Sequence, residues 1–354
     1  VTRIALITTT INVPTVLTQW AKSGMISDDI IIVAGDQKSP HREIVDLLAA
    51  IERETGVVGI YSPPKMQDLW AISEKIGWNC IQRRNIALLE AMMYNPQYIL
   101  TIDDDNAPTS GSQVTQLVDI MEHRITGYES AHSQAISTNT GWYNPGRQCL
   151  TDHLRPVVHR GFPLSQRFVA PLITHTKMAP VGVAAMLWTG EPDIDAVERI
   201  AVRPNVTRIG RPNFVLTPGT WAPFNTQATM VRGDLAPALF MWPHVGRYDD
   251  IWASYVYRKV ADKRGYGAYY GHPAVHQDRN EHDLVKDLEQ EIFGMRWNES
   301  IIRLIQDVNL DPDADVISDV TRIFADLVML AHPLPDETKY ALGAWIDDVE
   351  AING

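Results

Sequence analysis

Three consecutive carboxylates, Asp103, Asp104 and Asp105, follow the run Tyr98-Ile99-Leu100-Thr101-Ile102. The run reads as the buried end of a strand, and the strand breaks where the aspartates begin. Hard oxygen donors at the C-terminal edge of a strand suit Mg²⁺ or Mn²⁺, ions that in turn bind phosphates. Ligands of open α/β sheets also gather outside the carboxyl ends of the strands. The Asp-x-Asp spacing therefore points to a divalent ion holding a nucleotide diphosphate. The competing reading is a solvated turn or a helix cap, because Asn106-Ala107-Pro108 has the residue types of a turn.

Such carboxylates need a sheet to present them, and the first third of the chain carries its pattern. Residues 3–10 read as a strand ending in Thr8-Thr9-Thr10, and a helical stretch follows through Val16, Leu17 and Trp20. Residues 29–34 form a second strand ending at Gly35-Asp36, and 41–54 a helix with Ile44, Leu47, Leu48 and Ile51 on one face. A short strand at 57–61 stops at Pro63-Pro64, and 79–94 read as an amphipathic helix ahead of the strand that carries the aspartates. This alternation implies a parallel sheet covered by helices. No G-x-G-x-x-G or G-x-x-x-x-G-K-[ST] is present, so neither a dinucleotide fold nor a P-loop is supported.

The middle of the chain, about 130–280, is rich in Pro, Gly and aromatic residues and reads as short strands and loops that shape a substrate site. From about 283 the period becomes helical. Leu284, Leu288 and Ile292 form one stripe; Ile301, Ile305 and Val308 a second; Val316, Val320, Ile323, Leu327 and Leu330 a third; and Leu342, Trp345, Ile346 and Val349 a fourth. These faces suit core packing or self-association. With 354 residues, 45% hydrophobic and 21% charged, the chain can bury a large core. A net charge of −12 argues against a general grip on nucleic acid or an anionic membrane. Two cysteines, Cys80 and Cys149, argue against a disulfide framework, and no signal-peptide pattern or long apolar run is read, so a cytoplasmic location is the expectation.

Several strings now combine. Thr8-Thr9-Thr10, Val33-Ala34-Gly35-Asp36, Arg83-Arg84-Asn85 and Ile102-Asp103-Asp104-Asp105 are followed by Arg160-Gly161-Phe162-Pro163-Leu164-Ser165-Gln166-Arg167 and Gly246-Arg247-Tyr248-Asp249-Asp250-Ile251-Trp252. In this order they resemble the reversibly glycosylated polypeptides, or UDP-arabinopyranose mutases, with their bacterial and STELLO-type glycosyltransferase relatives. The resemblance spans about residues 1–280. It implies a GT-A-like (Rossmann-like) mixed α/β sheet covered by helices. Residues 1–282 would form the catalytic domain and 283–354 a helical C-terminal extension.

The resemblance also implies roles. Asp103 and Asp105 would contact a metal-bound diphosphate, with His276 as a further ligand, His272 competing for that place, and Asp104 on the nucleotide-sugar side. Imidazole suits Mn²⁺ better than Mg²⁺. Thr8, Thr10 and Asp36 would lie near the base and ribose, while Arg83 and Arg84 would clamp phosphate or sugar, one of the pair facing solvent. Arg247 and Trp252 fall on the same nucleotide-sugar side. Asp249 and Asp250 would deprotonate an acceptor hydroxyl or steady an oxocarbenium-like centre; the plainer reading has one of them paired with Arg247 and capping a helix that starts at Ile251. Trp188 and Trp221 could stack on sugar, or belong to the core.

Arg160 and Arg167 separate the sharper hypotheses. In the mutases the first arginine of this motif is reversibly glycosylated, and both are associated with activity. Two departures point elsewhere: the family's Ser-His-Gly-Leu-Trp stands here as Ala184-Ala185-Met186-Leu187-Trp188, and its Met-Cys-Gly-Met-Asn as Phe224-Asn225-Thr226-Gln227-Ala228. Both are expected where sugar or acceptor sits. The reading carried forward is a metal-dependent glycosyltransferase that uses a UDP-sugar, with Mn²⁺ or Mg²⁺, on an unidentified acceptor. The alternative is a UDP-sugar pyranose/furanose mutase. A third reading, transfer to modified bases of DNA, rests on a local strip of Arg203, Arg208 and Arg211 and is opposed by the net charge. No membrane partner is implied, and the helical tail suggests a homo-oligomer.

Overall fold

The computed structural model describes residues 3–123, 133–153, 156–210, 212–277 and 283–353. The first half runs β1 (Ile4–Thr10), α1 (Val16–Ala21), β2 (Ile30–Gly35), α2 (His41–Thr55), β3 (Val58–Ser62), α3 (Pro64–Gln67), α4 (Ala71–Ile76), α5 (Arg84–Met92), β4 (Tyr98–Ile102), β5 (Asn106–Pro108), α6 (Gln113–Met121), β6 (Ser133–Thr138), β7 (Cys149–Thr151) and β8 (Ile173–His175). The second runs β9 (Val181–Gly190), α7 (Ala196–Val202), β10 (Val206–Ile209), β11 (Asn213–Leu216), β12 (Ala228–Arg232), α8 (Asp249–Lys263), β13 (Gly267–Gln277), α9 (Leu284–Asp307), α10 (Val316–Leu330) and α11 (Asp336–Asn353).

The strands form one mixed sheet, ordered β3-β2-β1-β4-β12-β9-β13-β11-β6-β8, with β5 added to β13 and the β7–β10 pair to β9. β3, β2, β1 and β4 are parallel, and β12 joins β4 antiparallel. β1 and β2 are buried at every position, as strands covered on both faces must be. Alternate side chains feed opposite faces: Ala5 and Ile7 enter one apolar core, Ile4 and Leu6 the other. The first core also receives Phe324, Leu327, Leu342 and Trp345 from α10 and α11. A mixed α/β sheet covered by helices, with helices at the C-terminus, is therefore what the chain forms.

Several local expectations are corrected. The helix expected over 79–94 is a 3₁₀ turn, Ile81–Arg83, followed by α5, because Asp36 holds the backbone of Asn79 and Cys80 outside any helix. The middle of the chain contains the two long strands β9 and β13 rather than short elements alone. The stripe Leu284, Leu288, Ile292 is not the buried face of α9: Ile292 is 45% exposed, while Asp287, Glu291, Gly294 and Asn298 face inward. Apolar periodicity misses this stretch because it meets Arg247, the Ala196 N–H, the Gly161 carbonyl, the Tyr248 ring and Trp252 Nε1, and the face turns apolar only from Ile301. Ala184–Trp188 is core strand, with Ala184 and Trp188 at 0% and 1% exposure, so this departure from the family does not border an open site. No helix among the described residues is long and apolar enough to cross a membrane.

Candidate active site

Thr10, Asp36 and Asp103 stand at or just beyond the C-terminal ends of β1, β2 and β4, side by side because those strands are parallel neighbours. Beside these ends lies a cleft of about 540 Å³ whose wall includes Gln82, Arg84, Asp103, Asp105, Arg160, Gln227, Arg247, Asp249, Asp250 and Gln277. Its volume falls in the range of small-ligand and cofactor sites.

The adjacent arginines at the start of α5 have separate environments, and neither faces solvent. Arg84 borders the cleft, pairs with Asp103 through Nη2, and donates from Nη1 to Thr226 O at 3.0 Å and Thr226 Oγ1 at 2.9 Å. Arg83 turns into the protein. It bonds the Gln67 side chain, Ser73 Oγ, Ser73 O and Gly77 O, and its guanidinium carbon lies 3.7 Å from the centre of the Trp78 ring. A closed net of that kind leaves Arg83 no free donor for a ligand. Asp36, 1% exposed, accepts the backbone N–H of Gln37, Asn79 and Cys80. It thereby shapes the turn that delivers Gln82 and Arg84 to the cleft.

Opposite them, Arg160 meets Asp193 through two parallel bonds, Nε to Oδ1 at 2.9 Å and Nη2 to Oδ2 at 3.0 Å. The same Nη2 reaches Asp250 Oδ1 at 3.2 Å, and Nη1 donates to the carbonyl of Arg247. Four of its five N–H donors are thus engaged, leaving one on Nη1. Burial works against the charge of Arg160, but Asp193 and Asp250 outweigh it and hold the guanidinium more firmly protonated than usual. Asp250 also accepts the Thr226 N–H at 3.1 Å. Asp249 is pushed up to about 7, first by burial and then by the charge of Asp250, against the pull of Arg160. Gln82 Nε2 donates to it at 2.6 Å.

The second arginine of the motif, Arg167, lies outside the cleft wall and pairs with Asp195, which also caps α7 by accepting the Glu198 N–H. Arg160 and Arg167 are therefore bracketed by Asp193 and Asp195. Arg247 does not pair with Asp249 or Asp250. Its Nε donates to Glu291 Oε1 at 3.1 Å and its Nη1 reaches Asp287 at 3.5 Å, both on α9, while α8 starts at Asp249.

Other expected residues sit elsewhere. Thr8 Oγ1 donates to Ile102 O at 2.9 Å and ties β1 to β4, and Thr10 bonds the Asp104 carboxylate. His276 is exposed on β13 with its ring near Thr189, whereas the next residue, Gln277, borders the cleft; successive residues of a strand face opposite sides. His272 is outside the cleft wall, its Nε2 3.2 Å from Ile209 O. Trp252 is fully buried between Trp242, Tyr248 and Phe293, with Nε1 on Asn298. Trp188 and Trp221 are likewise core residues. Arg203 and Arg208 are exposed away from the cleft wall, and Arg211 lies outside the described residues. Asp193, Glu291 and Gln82 are the site residues that motif reading missed; the alternation Asp193-Ile194-Asp195 was the available signal.

A divalent ion needs hard oxygen donors with space for phosphate oxygens and water. Asp103 and Asp105 border the same cleft, although Asp103 already pairs with Arg84. Among the described residues no three His, Cys, Asp or Glu side chains gather closely enough to enclose an ion. The donor set fits an ion held by two carboxylates and completed by a ligand's own oxygens, the usual manner of Mg²⁺ in phosphate sites.

Comparison with known proteins adds the remaining findings. The family model described as reversibly glycosylated polypeptide matches residues 4–353, well past the limit near 280 read from the motifs. A probable UDP-arabinopyranose mutase 1 of Pisum sativum is 25% identical over 279 residues, 74% of this chain and 70% of that protein. UDP-arabinopyranose mutase 1 of Arabidopsis thaliana is 26% identical over 278 residues, 74% and 71% of the two chains. Among solved structures, a mannosyltransferase from Pyrobaculum calidifontis in complex with GDP-Man and Mn²⁺ aligns with a TM-score of 0.41 at 10% identity, over 99% of this chain and 73% of that one.

Proposed function

The chain belongs to the reversibly glycosylated polypeptide family, and from that membership we propose that its cleft binds a UDP-sugar and interconverts the pyranose and furanose forms of the sugar, with Arg160 beside the reacting carbon. The observation that carries this reading is that Arg160 borders the same cleft as Asp103, Asp105, Asp249 and Asp250. A mutase needs a diphosphate end and a sugar end in one enclosure, and these residues suit the two ends. The relatives named above as mutases move this reading ahead of the transferase.

Each side chain then has a task. Arg84 and Arg247 flank the diphosphate; Arg247 Nη2 makes no hydrogen bond to the protein among the described residues and is available to a phosphate oxygen. A divalent ion held by Asp103 and Asp105, when bound, would neutralise charge that builds on the leaving diphosphate. Asp250, steadied by Arg160 and the Thr226 N–H, supports positive charge at the anomeric carbon. Because Arg160 is held protonated, its bond to the anomeric carbon forms in step with transfer of one N–H proton to Asp193 or Asp250 and with breakage of the C–O bond to the diphosphate. After rearrangement the diphosphate re-attacks that carbon, the N–C bond breaks and the proton returns to Arg160. Ring opening leaves an oxygen that takes a proton, and closure through another hydroxyl returns one. Asp249, with a pKa near 7 and a place in the cleft wall, can do both.

A second reading keeps the donor side and changes the acceptor. Thr226 and Gln227, within the stretch that departs from the family, border the cleft and could meet an acceptor hydroxyl of a transferase. Incubation with a panel of UDP-sugars and Mn²⁺, followed by intact mass and product analysis, tests both. A rearranged sugar still attached to UDP, with a one-sugar adduct lost in Arg160→Ala, supports the mutase. Free UDP with no rearranged product favours the transferase, and neither signal with any sugar overturns the UDP-sugar reading.

A further inference from the structure

Glu291 is fully buried on α9, and its two oxygens reach different parts of the site. Oε1 accepts Nε of Arg247 at 3.1 Å, and Oε2 accepts the backbone N–H of Ala196 at 2.7 Å. Ala196 directly follows Asp193-Ile194-Asp195, the turn that holds Arg160 and Arg167. One carboxylate therefore joins Arg247 of the cleft wall to the turn that carries Asp193, the partner of Arg160.

The backbone allows little slack around this contact. Gly246 has a φ of +66°, and a Cβ there would stand 2.0 Å from Gln290 O. A Cβ on Gly294 would stand 2.0 Å from the Tyr248 ring. Residues 246–248 are thus pressed onto α9 from both sides of Glu291. A carboxylate is expensive to bury unless it is paired, and an apolar side chain could fill the same space. The charge is accounted for by what it holds.

We propose that Glu291 is a positioning residue that fixes Arg247 against the cleft, which makes the C-terminal helical segment a working part of the donor site. This rests on reading the cleft as a nucleotide-sugar site. With Nε fixed by Glu291 and Nη1 turned to Asp287, the guanidinium has one orientation, and Nη2 is the edge it offers to a diphosphate.

The test is UDP titration and turnover, with Mn²⁺, in the wild type, Glu291→Gln, Arg247→Gln and the double variant. Gln keeps an oxygen for the Ala196 N–H but turns an amide N–H₂ toward Arg247. UDP affinity is expected to fall roughly tenfold or more in Glu291→Gln and to fall no further when that change is added to Arg247→Gln. A purely structural role would instead lower affinity equally in both backgrounds, and that result, or wild-type affinity in Glu291→Gln, overturns the proposal. If Glu291→Gln does not fold, Arg247→Lys carries the test, since it leaves Glu291 a charged partner but removes the fixed fork; unchanged affinity there overturns the proposal. Absence of UDP binding by the wild type would overturn the reading of the cleft and this proposal with it, whereas UDP binding with uncoupled variants overturns the proposal alone.

Discussion

Arg160 and Asp193, 33 residues apart in the chain, face each other as a planar fork on a carboxylate, with N–O distances of 2.9 and 3.0 Å. Both are essentially out of solvent, at 3% and 0% exposure. A pair in that setting is weak evidence of net stability, but removing one member leaves a buried charge without its counterpart.

Asp193→Asn keeps the shape and removes the charge. Because Asp250 remains as a second partner of Arg160, the loss is expected near the lower end for a broken buried pair, about 3 kcal/mol. Urea denaturation reads it directly, and an unchanged midpoint would show that Asp250 alone satisfies the guanidinium.

Asp249 makes stability depend on pH with a definite sign. Below about 3.8 folded and unfolded chains both carry its proton; between there and about 7 only the unfolded chain has lost it. Its contribution to stability is therefore full at low pH, falls as pH rises through that window, and is flat above it. Asp249→Asn should be more stable than the wild type at pH 8, on the order of 2 to 4 kcal/mol, with the advantage vanishing near pH 4. Denaturation series at the two pH values check it.

Gly294→Ala would ordinarily strengthen a helix by up to about 1 kcal/mol. Here the added methyl meets the Tyr248 ring, and the expected result is a net loss of about 1 to 3 kcal/mol from overpacking. Tyr248→Leu should recover part of that loss in the double variant, as measured by thermal melting.

Trp252 and Arg84 should separate folding from binding. Trp252→Phe loses the bond to Asn298 in the core and is expected to lower stability by about 1 to 3 kcal/mol with UDP affinity unchanged. Arg84→Gln should weaken UDP binding roughly tenfold or more. Calorimetric titration of both variants decides it, and weaker binding in the folded Trp252→Phe protein would bring that ring into the site.

On the proposed reading, chelation of divalent ions should weaken UDP binding, and Asp105→Asn should make the protein insensitive to the chelator. Equal affinity with and without Mn²⁺ in the wild type would remove the metal from the donor site.

β1, β2 and β4 were readable because they are apolar runs ended by Thr, Gly or Asp, and β3 because Pro63-Pro64 closes it; the strand at 98–102 has the expected limits. Arg84 and Arg83 were indistinguishable in sequence, since only the turn held by Asp36 decides which one enters the cleft. His276 and Gln277 differ by one step of strand parity, which a motif cannot register. Glu291 was invisible for a different reason. In the first half of α9 the apolar stripe Leu284, Leu288, Ile292 marks a neighbouring face, while the buried one carries Asp287, Glu291, Gly294 and Asn298 and turns apolar only from Ile301.

The contact between Arg247 and Glu291 spans 44 residues of chain. During synthesis at about 5 to 20 residues per second, Arg247 is polymerised some 2 to 9 seconds before the carboxylate that fixes it. Within that interval β13 is made and takes its place between β9 and β11, so the sheet can be complete while the cleft arginine is still unrestrained. Competence at the cleft is therefore timed by the ribosome's progress into α9 rather than by completion of the sheet.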